Sequence, residues 1–456
     1  MSSPLDTIFK REFAAFASAP QYVMNFDLKV TIHIRNKDFN AIIVSGLSVN
    51  KDYFNNYADE IILTAGFNII DLAHAIYPYK NELEVTVTKT PLTNHREYHV
   101  NKAGQPTQMR YIAKLTDGAN KLLESNIQDI DLQTTGRKAD DYLMIGLQLL
   151  DPLVDKIRLK TVGAGFYQNV AMDVIKAVLT KYTNDTVEKD LAINGVTVAP
   201  GYSTKVVEHI VVPHLTRLVD FPAIVNKKSG GIYPFGFKYY LTNKQWWIYA
   251  PYDGKAYERS EQKLTIINVT KDKLAEMEIT SRVTGTQVFI LATGETRNLT
   301  NSESVLQNKG VGVRFIDAST VMNYATIEGN KLKVQGSKNT NQVAVVEDKD
   351  RSSPVVPESE ARLTTAYNLE YSKIAQRMGN VVQVTWESSD DRLIYPGMPL
   401  RFMYLDGRVA RAVYGTVIGC HTQYMQTNTN PRARKFKSNS ILTLFIAGET
   451  KNDTQL

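Results

Sequence analysis

Residues 26–35 read Phe-Asp-Leu-Lys-Val-Thr-Ile-His-Ile-Arg, and their pattern predicts the fold of the first part of the chain. Apolar side chains recur at every second position, so Leu28, Val30 and Ile32 share one face of an extended strand. The other face carries Lys29, Thr31 and His33. Period two with one polar face is typical of an antiparallel sheet that is buried on one side.

The same pattern extends outward from this strand over the first 165 residues. We expect further strands at 41–49, 60–64, 83–88, 109–115 and 142–150. A short helix is predicted from Asn68 to Tyr77, ended by Pro78, and a long polar loop from about 91 to 108. Short strands joined by polar turns favour a barrel or a sandwich, and they disfavour a parallel α/β fold.

The middle of the chain changes character. The clearest helix is predicted at Asn169–Tyr182, where Val170, Val174 and Val178 recur every four residues. A second helix is expected from Pro213 to about Val225. The remaining expectations for this region are a turn at Gly163-Ala164-Gly165, aromatic strands at 232–241 and 245–252, and a tight turn at 242–244 between those strands.

The last 200 residues return mainly to strands. They are predicted at 264–269, 287–292, 312–316, 331–335, 381–387, 400–404, 409–418 and 441–447. A charged, proline-bearing stretch at 347–358 indicates a linker or an exposed loop, and 364–378 indicates a helix. No short repeat of the solenoid kind is present, but two strand-rich regions around a mixed middle are compatible with a large-scale duplication.

The first residues imitate a signal peptide but predict a helical arm. Lys10 and Arg11 precede a short apolar stretch that is too short for a signal and lies beside Glu12. An amphipathic helix fits better, because its apolar residues fall near one face: Leu5, Ile8, Phe9, Phe13 and Phe16. Such an arm packs either on its own domain or on a neighbouring subunit.

Length and composition limit the class of protein. A chain of 456 residues exceeds a single hydrophobic core, and its 43% hydrophobic content excludes a mostly disordered chain. A net charge of +6 over this length says little about nucleic-acid binding. The single cysteine, Cys420, excludes an intramolecular disulfide. No stretch approaches the ~18 apolar residues of a membrane span, so we expect no membrane insertion.

Histidine and cysteine positions do not predict a catalytic, cofactor or metal site. The pairs His95 with His99 and His209 with His214 lack the further ligands that a structural zinc site needs. Cys420 and His421 are neighbours on a predicted strand, so their side chains point to opposite faces and cannot act together. Core or interface packing is expected for Cys420. We therefore expect no enzyme activity, no cofactor and no metal.

One carboxylate cluster supports a rival hypothesis of an enzyme that cleaves cell-wall or capsule polysaccharide. Glycosidic hydrolysis needs two carboxyl groups, which Glu387, Asp390 and Asp391 offer, with Trp386 as a stacking platform. The simpler interpretation of Ser388–Asp391 is a solvated turn between strands.

A basic cluster lies near the last strand and comprises Arg432, Arg434, Lys435 and Lys437. It could contact phosphates, and a solvated loop tip or a subunit contact is the alternative interpretation.

Aromatic residues are concentrated in the predicted hairpin of the middle region at a density that is typical of protein interfaces. The interface candidates are Tyr233, Phe235, Trp246, Trp247, Tyr249 and Tyr252.

Several separated segments resemble the central baseplate hub proteins of contractile-tailed bacteriophages. In that family a helix leads into a Gly-Xaa-Tyr strand and then into an aromatic strand that closes with Tyr-Xaa-Xaa-Tyr-Asp. Here the corresponding segments are 212–218, 230–233 and 245–253, which ends Tyr-Ala-Pro-Tyr-Asp. Agreement also extends to 81–87, 378–386 and 394–400. The resemblance therefore samples the front, middle and end of the chain.

The resemblance implies an α+β fold, mainly antiparallel β, with two tail-tube-like β-barrel domains, a mixed α/β middle and a smaller β domain. The implied divisions are an arm at 1–20, a barrel at 21–165, the mixed domain with its aromatic hairpin at 166–260, a β domain at 261–346 that is an insertion or part of the second barrel, a linker at 347–360, and a C-terminal β domain at 361–456.

The resemblance also implies a structural role in the virion, assembled in the host cytoplasm. A homotrimer would present six barrels to the sixfold tail tube protein and three equivalent faces to the trimeric spike protein. Other baseplate proteins would surround it, and DNA would pass through its channel without specific binding. A tube-initiating baseplate protein is the milder alternative.

Overall fold

The computed structural model describes most of the strand-rich parts of the chain. The described residues are 4–17, 25–92, 106–116, 142–275, 280–295, 314–315, 326–328, 331–333, 343–344, 368–369, 372, 375–376, 379–406, 409–427 and 435–447. His95, His99, Arg432, Arg434 and the predicted linker at 347–358 therefore lie outside the described residues, as does most of the predicted helix at 364–378.

The strands of the first half have the following bounds: β1 Phe26–Ile34, β2 Lys37–Asn40, β3 Ile43–Lys51, β4 Glu60–Asn68, β5 Glu84–Pro91, β6 Thr107–Leu115, β7 Tyr142–Leu150, β8 Thr161–Val170, β9 Gly195–Val198, β10 Val206–Arg217, β11 Lys238–Thr242 and β12 Gln245–Tyr249. Those of the second half are β13 Lys263–Asn268, β14 Ser281–Thr284, β15 Gln287–Glu295, β16 Arg314–Phe315, β17 Thr326–Glu328, β18 Lys331–Lys333, β19 Val343–Ala344, β20 Asn380–Trp386, β21 Pro399–Asp406, β22 Val409–Gln426 and β23 Phe436–Ile446.

The helices are fewer and mostly short. They are α1 Pro4–Ala17, α2 Ile69–Asp71, α3 Pro152–Ile157, α4 Ala171–Asn184, α5 Phe221–Lys228, α6 Ala256–Arg259 and α7 Lys271–Ala275. The predicted helix at 68–77 is confirmed, although its turns widen to a π-helix at Leu72–Ile76 and then tighten to a 3₁₀ turn at Tyr77–Tyr79, which contains Pro78. None of the helices in the described ranges is long and apolar enough to span a bilayer.

The long strands β22 and β23 form an antiparallel hairpin that belongs to two closed rings of strands. The first ring runs β22-β3-β4-β7-β6-β5-β1-β23, and it closes where Phe26 of β1 pairs with Phe436 of β23. The second ring runs β13-β21-β22-β23-β20-β15 and closes through the parallel pair β13–β15. The predicted fold class, mainly antiparallel β, is confirmed.

The shared hairpin passes from one ring to the other along its length. Residues 409–416 of β22 pair with β21 in the second ring, and residues 420–425 pair with β3 in the first. The register of β22 against β23 shifts between Val417 and Gly419, at the crossing point. A bulge there bends the strand, which lets one strand serve two rings. The first ring therefore contains residues from both ends of the chain, and the predicted divisions at 21–165 and 361–456 meet in one sheet.

A mixed α/β region follows β7 and precedes β13. Its core packs α3, α4 and α5 against the pair β8–β10 and the three-stranded sheet β11-β12-β9. The predicted helix at 169–182 is confirmed as α4, in which Val174 and Val178 are buried. It begins two residues later than predicted, because Asn169 and Val170 still belong to β8. The predicted tight turn is also confirmed, because Asn243 and Lys244 both have positive φ, as a two-residue hairpin loop requires.

Three predictions in this region are wrong. The predicted strand at 232–241 begins only at Lys238, and residues 232–237 lie in turns and irregular chain. Residues 213–217 lie in strand β10, a 3₁₀ turn covers Leu218–Asp220, and an α-helix begins only at Phe221. Pro213 lies where the β10 register shifts against β8, in a bulge that tolerates its missing N–H. Gly163-Ala164-Gly165 forms part of strand β8 instead of a turn. A Cβ at Gly163 would lie 2.7 Å from the His214 Cα, so the glycine permits the close approach of the two strands.

The N-terminal arm packs on its own chain. Phe9 and Phe16 are buried against residues of the second ring and α7, among them Phe289 and Met403. Glu12 is buried beside them, and its Oε2 accepts a hydrogen bond of 2.6 Å from Arg282 of β14. Within the single chain, the arm therefore covers the second ring.

Candidate functional site

The junction between the two strand rings is built from the shared hairpin, the end of β3 and the loop that follows β20. Residues 387–393 of this loop leave the second ring and end in a 3₁₀ turn at Asp391–Leu393. Asp391 there contacts two lysines of the first ring. The junction therefore has a charged centre, although both rings are lined mainly by apolar side chains.

Asp391 lies between Lys51 of β3 and Lys89 of β5. Its Oδ2 accepts a hydrogen bond of 2.8 Å from the Lys51 Nζ, and its Oδ1 lies 3.8 Å from the Lys89 Nζ. The hydroxyl of Tyr424, on the shared hairpin, donates to Oδ1 at 3.2 Å. The Lys89 Nζ also bonds the Tyr424 hydroxyl and lies 4.2 Å from the centre of the Phe26 ring. Every member of this group is buried.

The charged members of this group differ in how far burial and their partners shift their pKa values. Burial opposes the ionisation of Asp391, but Lys51, Lys89 and the hydrogen bonds outweigh it and hold the pKa of this carboxyl well below its usual range. Burial likewise opposes the charge on Lys51, yet Asp391 outweighs it and raises the pKa of Lys51. For Lys89 burial wins and lowers the pKa, because its carboxylate partner is farther away. The junction is thus one tight ion pair with a second, less stable cation beside it.

Buried hydroxyl groups fasten the same loop to the shared hairpin. The Ser389 Oγ lies 2.7 Å from the Ser440 Oγ, which in turn lies 2.7 Å from the Thr422 Oγ1. The Ser389 N–H donates to the Ser438 carbonyl at 2.9 Å. The prediction of a solvated turn at Ser388–Asp391 is therefore wrong for Ser389, Asp390 and Asp391. Their side chains are satisfied inside the protein, where an unpaired polar group would be costly.

No two of the three carboxylates in the rival enzyme hypothesis come together as a catalytic pair. Asp390 forms a two-point ion pair with Arg392, and Glu387 contacts Lys437 at 3.2 Å, whereas Asp391 points to Lys51. Trp386 is buried, and its indole N–H donates to Thr280 at 3.1 Å. It offers no stacking platform to a sugar.

Most of the predicted interface aromatics lie inside the chain. Tyr233, Trp246, Tyr249 and Tyr252 are buried, whereas Phe235 and Trp247 keep partial exposure. The Tyr249 hydroxyl donates to the Tyr53 carbonyl at 2.6 Å, and Tyr240 contacts the Tyr53 ring edge-on. Trp247 stacks on Tyr395 with the ring centres 4.8 Å apart. The hairpin therefore joins the mixed region to the segment after β3 and to the loop before β21.

The other candidate residues are separated. Cys420 is buried in the core of the second ring, as expected for packing, and His421 is half-buried on the opposite face of β22. His209 packs edge-on against Tyr167, and His214 lies in the β10 bulge. Across the described ranges, no three histidine, cysteine, aspartate or glutamate side chains form a metal-ligand set. Of the basic cluster, Lys437 pairs with Glu387, and Lys435 precedes β23.

The sequence contained a signal for the two buried lysines. Lys51 continues the inward-facing series of Leu47 and Val49 in β3, and Lys89 continues that of Val85 and Val87 in β5. A lysine in phase with an apolar face indicates a buried charge that needs a partner. The partner, Asp391, is 340 residues from Lys51 and could not be assigned from this phase alone.

Several solved structures are similar to this chain over most of its length. A tail protein from Neisseria meningitidis MC58 is 9% identical, with 92% of this chain and 96% of that chain covered and a TM-score of 0.47. The prophage MuSo2 43 kDa tail protein from Shewanella oneidensis is 10% identical, with 91% and 98% covered and a TM-score of 0.46. The third, the E. coli c3393 protein, is 7% identical, with 92% and 77% covered and a TM-score of 0.40.

The c3393 protein is described as a component of the type VI secretion system with structural similarity to the T4 bacteriophage tail proteins gp27 and gp5. No family model matches the chain. No curated protein matches it either.

Proposed function

We propose that this chain is the central hub of a contractile-tail baseplate, and that three copies join a sixfold tail tube to a threefold spike. The observation that carries the proposal is the pair of closed strand rings in one chain, which share the β22–β23 hairpin. Three chains bring six rings around a threefold axis. Such an assembly offers six similar units to one neighbour and three identical faces to the other.

The shared hairpin suits a part that transmits force. Two domains on a flexible linker would turn independently, whereas strands that continue from one ring into the next fix the rings by backbone hydrogen bonds. The loop 387–393 adds a second connection, because Asp391 of the second ring pairs with Lys51 of the first. The rings would therefore move as one body during contraction.

The proposed partners are a second and a third copy of this chain, the tail tube protein, the trimeric spike protein and other baseplate proteins. Contacts that use different faces of each copy close into a ring after three steps, so they do not produce a fibre. The partly exposed Phe235 and Trp247 remain candidates for such contacts. DNA would pass through the centre without base contacts. The particle would assemble in the host cytoplasm and stay in the virion, and the role requires no catalysis.

Size-exclusion chromatography with light scattering tests the proposal. We expect a particle with three times the 51.3 kDa mass of one chain, and its capture by the trimeric spike protein of the same particle. A strict monomer at high concentration that does not bind the spike would contradict it. A hexamer would favour the tube-initiating role instead.

A further inference from the structure

Three side chains on the outer face of the first ring have the arrangement of a nucleophile, a base and an orienting carboxylate. The His33 Nε2 lies 2.7 Å from the Thr86 Oγ1, and the His33 Nδ1 lies 2.7 Å from the Asp38 Oδ1. Three neighbouring strands position them. His33 of β1 is directly opposite Asp38 of β2, whereas Thr86 of β5 is opposite Thr31, two residues from His33 on the same face.

The hydrogen bonds of this group have only one consistent direction when the imidazole is neutral. The Asp38 carboxylate can only accept, so the proton of the ring lies on Nδ1. Nε2 is then an acceptor, and the Thr86 hydroxyl donates to it. This is the tautomer that a general base for a hydroxyl nucleophile requires.

The group borders a groove. The groove has a volume of about 450 Å³ and is lined by His33, Thr86, Gln108 and Arg110. Arg110 of β6 is directly opposite Thr86, and its guanidinium is held by Glu84 with an Nε–Oε2 distance of 2.8 Å. A cation and an amide therefore line the same groove as the hydroxyl and are available to an acyl oxygen that gains negative charge there.

We propose that Asp38, His33 and Thr86 form a hydrolytic site for short acyl esters. This inference goes beyond the hub role and does not depend on it. The Thr86 Oγ1 attacks the acyl carbon while its proton moves to the His33 Nε2; the bond to the alcohol breaks, and the alcohol leaves with that proton. Water then attacks the acyl-threonine, gives a proton to His33, and releases the acid as Thr86 regains its proton. One ester and one water yield one acid and one alcohol.

The burial of the nucleophile sets the substrate class. Thr86 is only 7% exposed, whereas the side chain of His33 is 28% exposed. The covered hydroxyl therefore favours a small acyl group, such as acetyl, over a bulky acyl chain. Asp38, with its side chain 68% exposed, orients the imidazole from the solvent side and is a positioning residue.

The test measures hydrolysis of p-nitrophenyl acetate by the full chain. Thr86→Val and His33→Gln should each lose about 100-fold of the rate, the usual contribution of a positioned base, and Thr86→Ser should keep it. Thr31→Val is the matched control, because Thr31 lies on the same face but bonds Asn40. A fluorophosphonate probe, from which fluoride leaves as the phosphorus–oxygen bond forms, should add once, at position 86.

Circular dichroism checks that each variant is folded, and the Thr86→Ser adduct provides a second measurement if Thr86→Val fails to fold. A wild-type rate equal to that of free imidazole overturns the proposal. So does a rate that falls in His33→Gln but not in Thr86→Val, since the histidine would then act alone. An adduct at any position other than 86 overturns it as well.

Discussion

The Nζ of Lys51 lies 2.8 Å from the Oδ2 of Asp391, and both side chains are buried where the two strand rings meet. Lys51 ends strand β3 of the first ring, and Asp391 belongs to the loop that leaves β20 of the second. The pair therefore joins two parts of the chain that are 340 residues apart. It gives the junction a specific geometry that apolar packing alone would leave less defined, and it can be tested by substitution.

Asp391→Asn should strongly destabilise the protein. The change removes a buried negative charge and leaves two buried ammonium groups without their nearest carboxylate, which costs about 3–5 kcal/mol. The free energy of unfolding from urea titration measures the effect. Asp406→Asn is the control, because its ion pair with Arg411 has the same 2.8 Å length but is exposed, and it should cost less than about 1 kcal/mol. Equal losses would contradict the assigned role of the junction.

The same pair predicts how stability depends on pH. The pKa of Asp391 is depressed in the folded protein, so its contribution is fully present above the unfolded value of about 3.9 and is lost as the pH falls toward the folded value. Lowering the pH from 5 to 2.5 should therefore reduce the unfolding free energy of the wild type more than that of Asp391→Asn. If the unfolding free energies of the wild type and Asp391→Asn fall in parallel as the pH is lowered, the carboxylate is not held as described.

Gly415 should not accept a methyl group. A Cβ at this position of β22 would lie 1.8 Å from the Phe445 carbonyl oxygen of β23, so an alanine must force the shared hairpin apart. We expect Gly415→Ala to cost about 1–3 kcal/mol or more in unfolding free energy. At Gly46 of β3 the nearest atom would be at 3.5 Å, so Gly46→Ala should change stability by less than about 1 kcal/mol. If the two variants melt at the same temperature, the close approach is not real.

Cys420 should be inert until the protein unfolds. Burial raises the pKa of its thiol to about 11, so little thiolate is present at neutral pH, and the core covers the sulfur. Labelling with Ellman's reagent at pH 8 should be at least about 100-fold slower in the native chain than in guanidinium chloride. Met425 lies on the same strand but is 46% exposed, so Met425→Cys in a Cys420→Ala background should react at once. Fast native labelling of Cys420 would refute its placement in the second ring.

Alternation of side chains predicted the strands well because it depends only on neighbours in sequence. Tyr142–Leu150 was predicted with its observed bounds, and α4 followed from its valine spacing. The pairing of strands could not be predicted from local alternation. Phe26 of β1 pairs with Phe436 of β23, some 400 residues away. No local pattern shows that a C-terminal hairpin completes an N-terminal ring.

The wrong predictions also have a physical cause, because tertiary contacts override what the local sequence pattern indicates. Leu215, Leu218 and Val219 suggested an inward helix face from Pro213, but tertiary pairing with β8 keeps residues 213–217 extended. Leu215 is consequently exposed, whereas Leu218 and Val219 are buried as expected. Asp390 and Asp391 have the composition of a solvated turn, yet both carboxylates are buried, because Asp390 pairs with Arg392 and Asp391 pairs with Lys51. The group of Asp38, His33 and Thr86 needs three strands in register, which a sequence does not display.

Electron microscopy of the purified chain, averaged along its symmetry axis, tests the central claim most directly. We predict a threefold particle in which six strand rings, two from each copy, surround an open channel. A particle with another symmetry, or one whose two rings per chain do not lie on a common circle, would contradict the proposed hub.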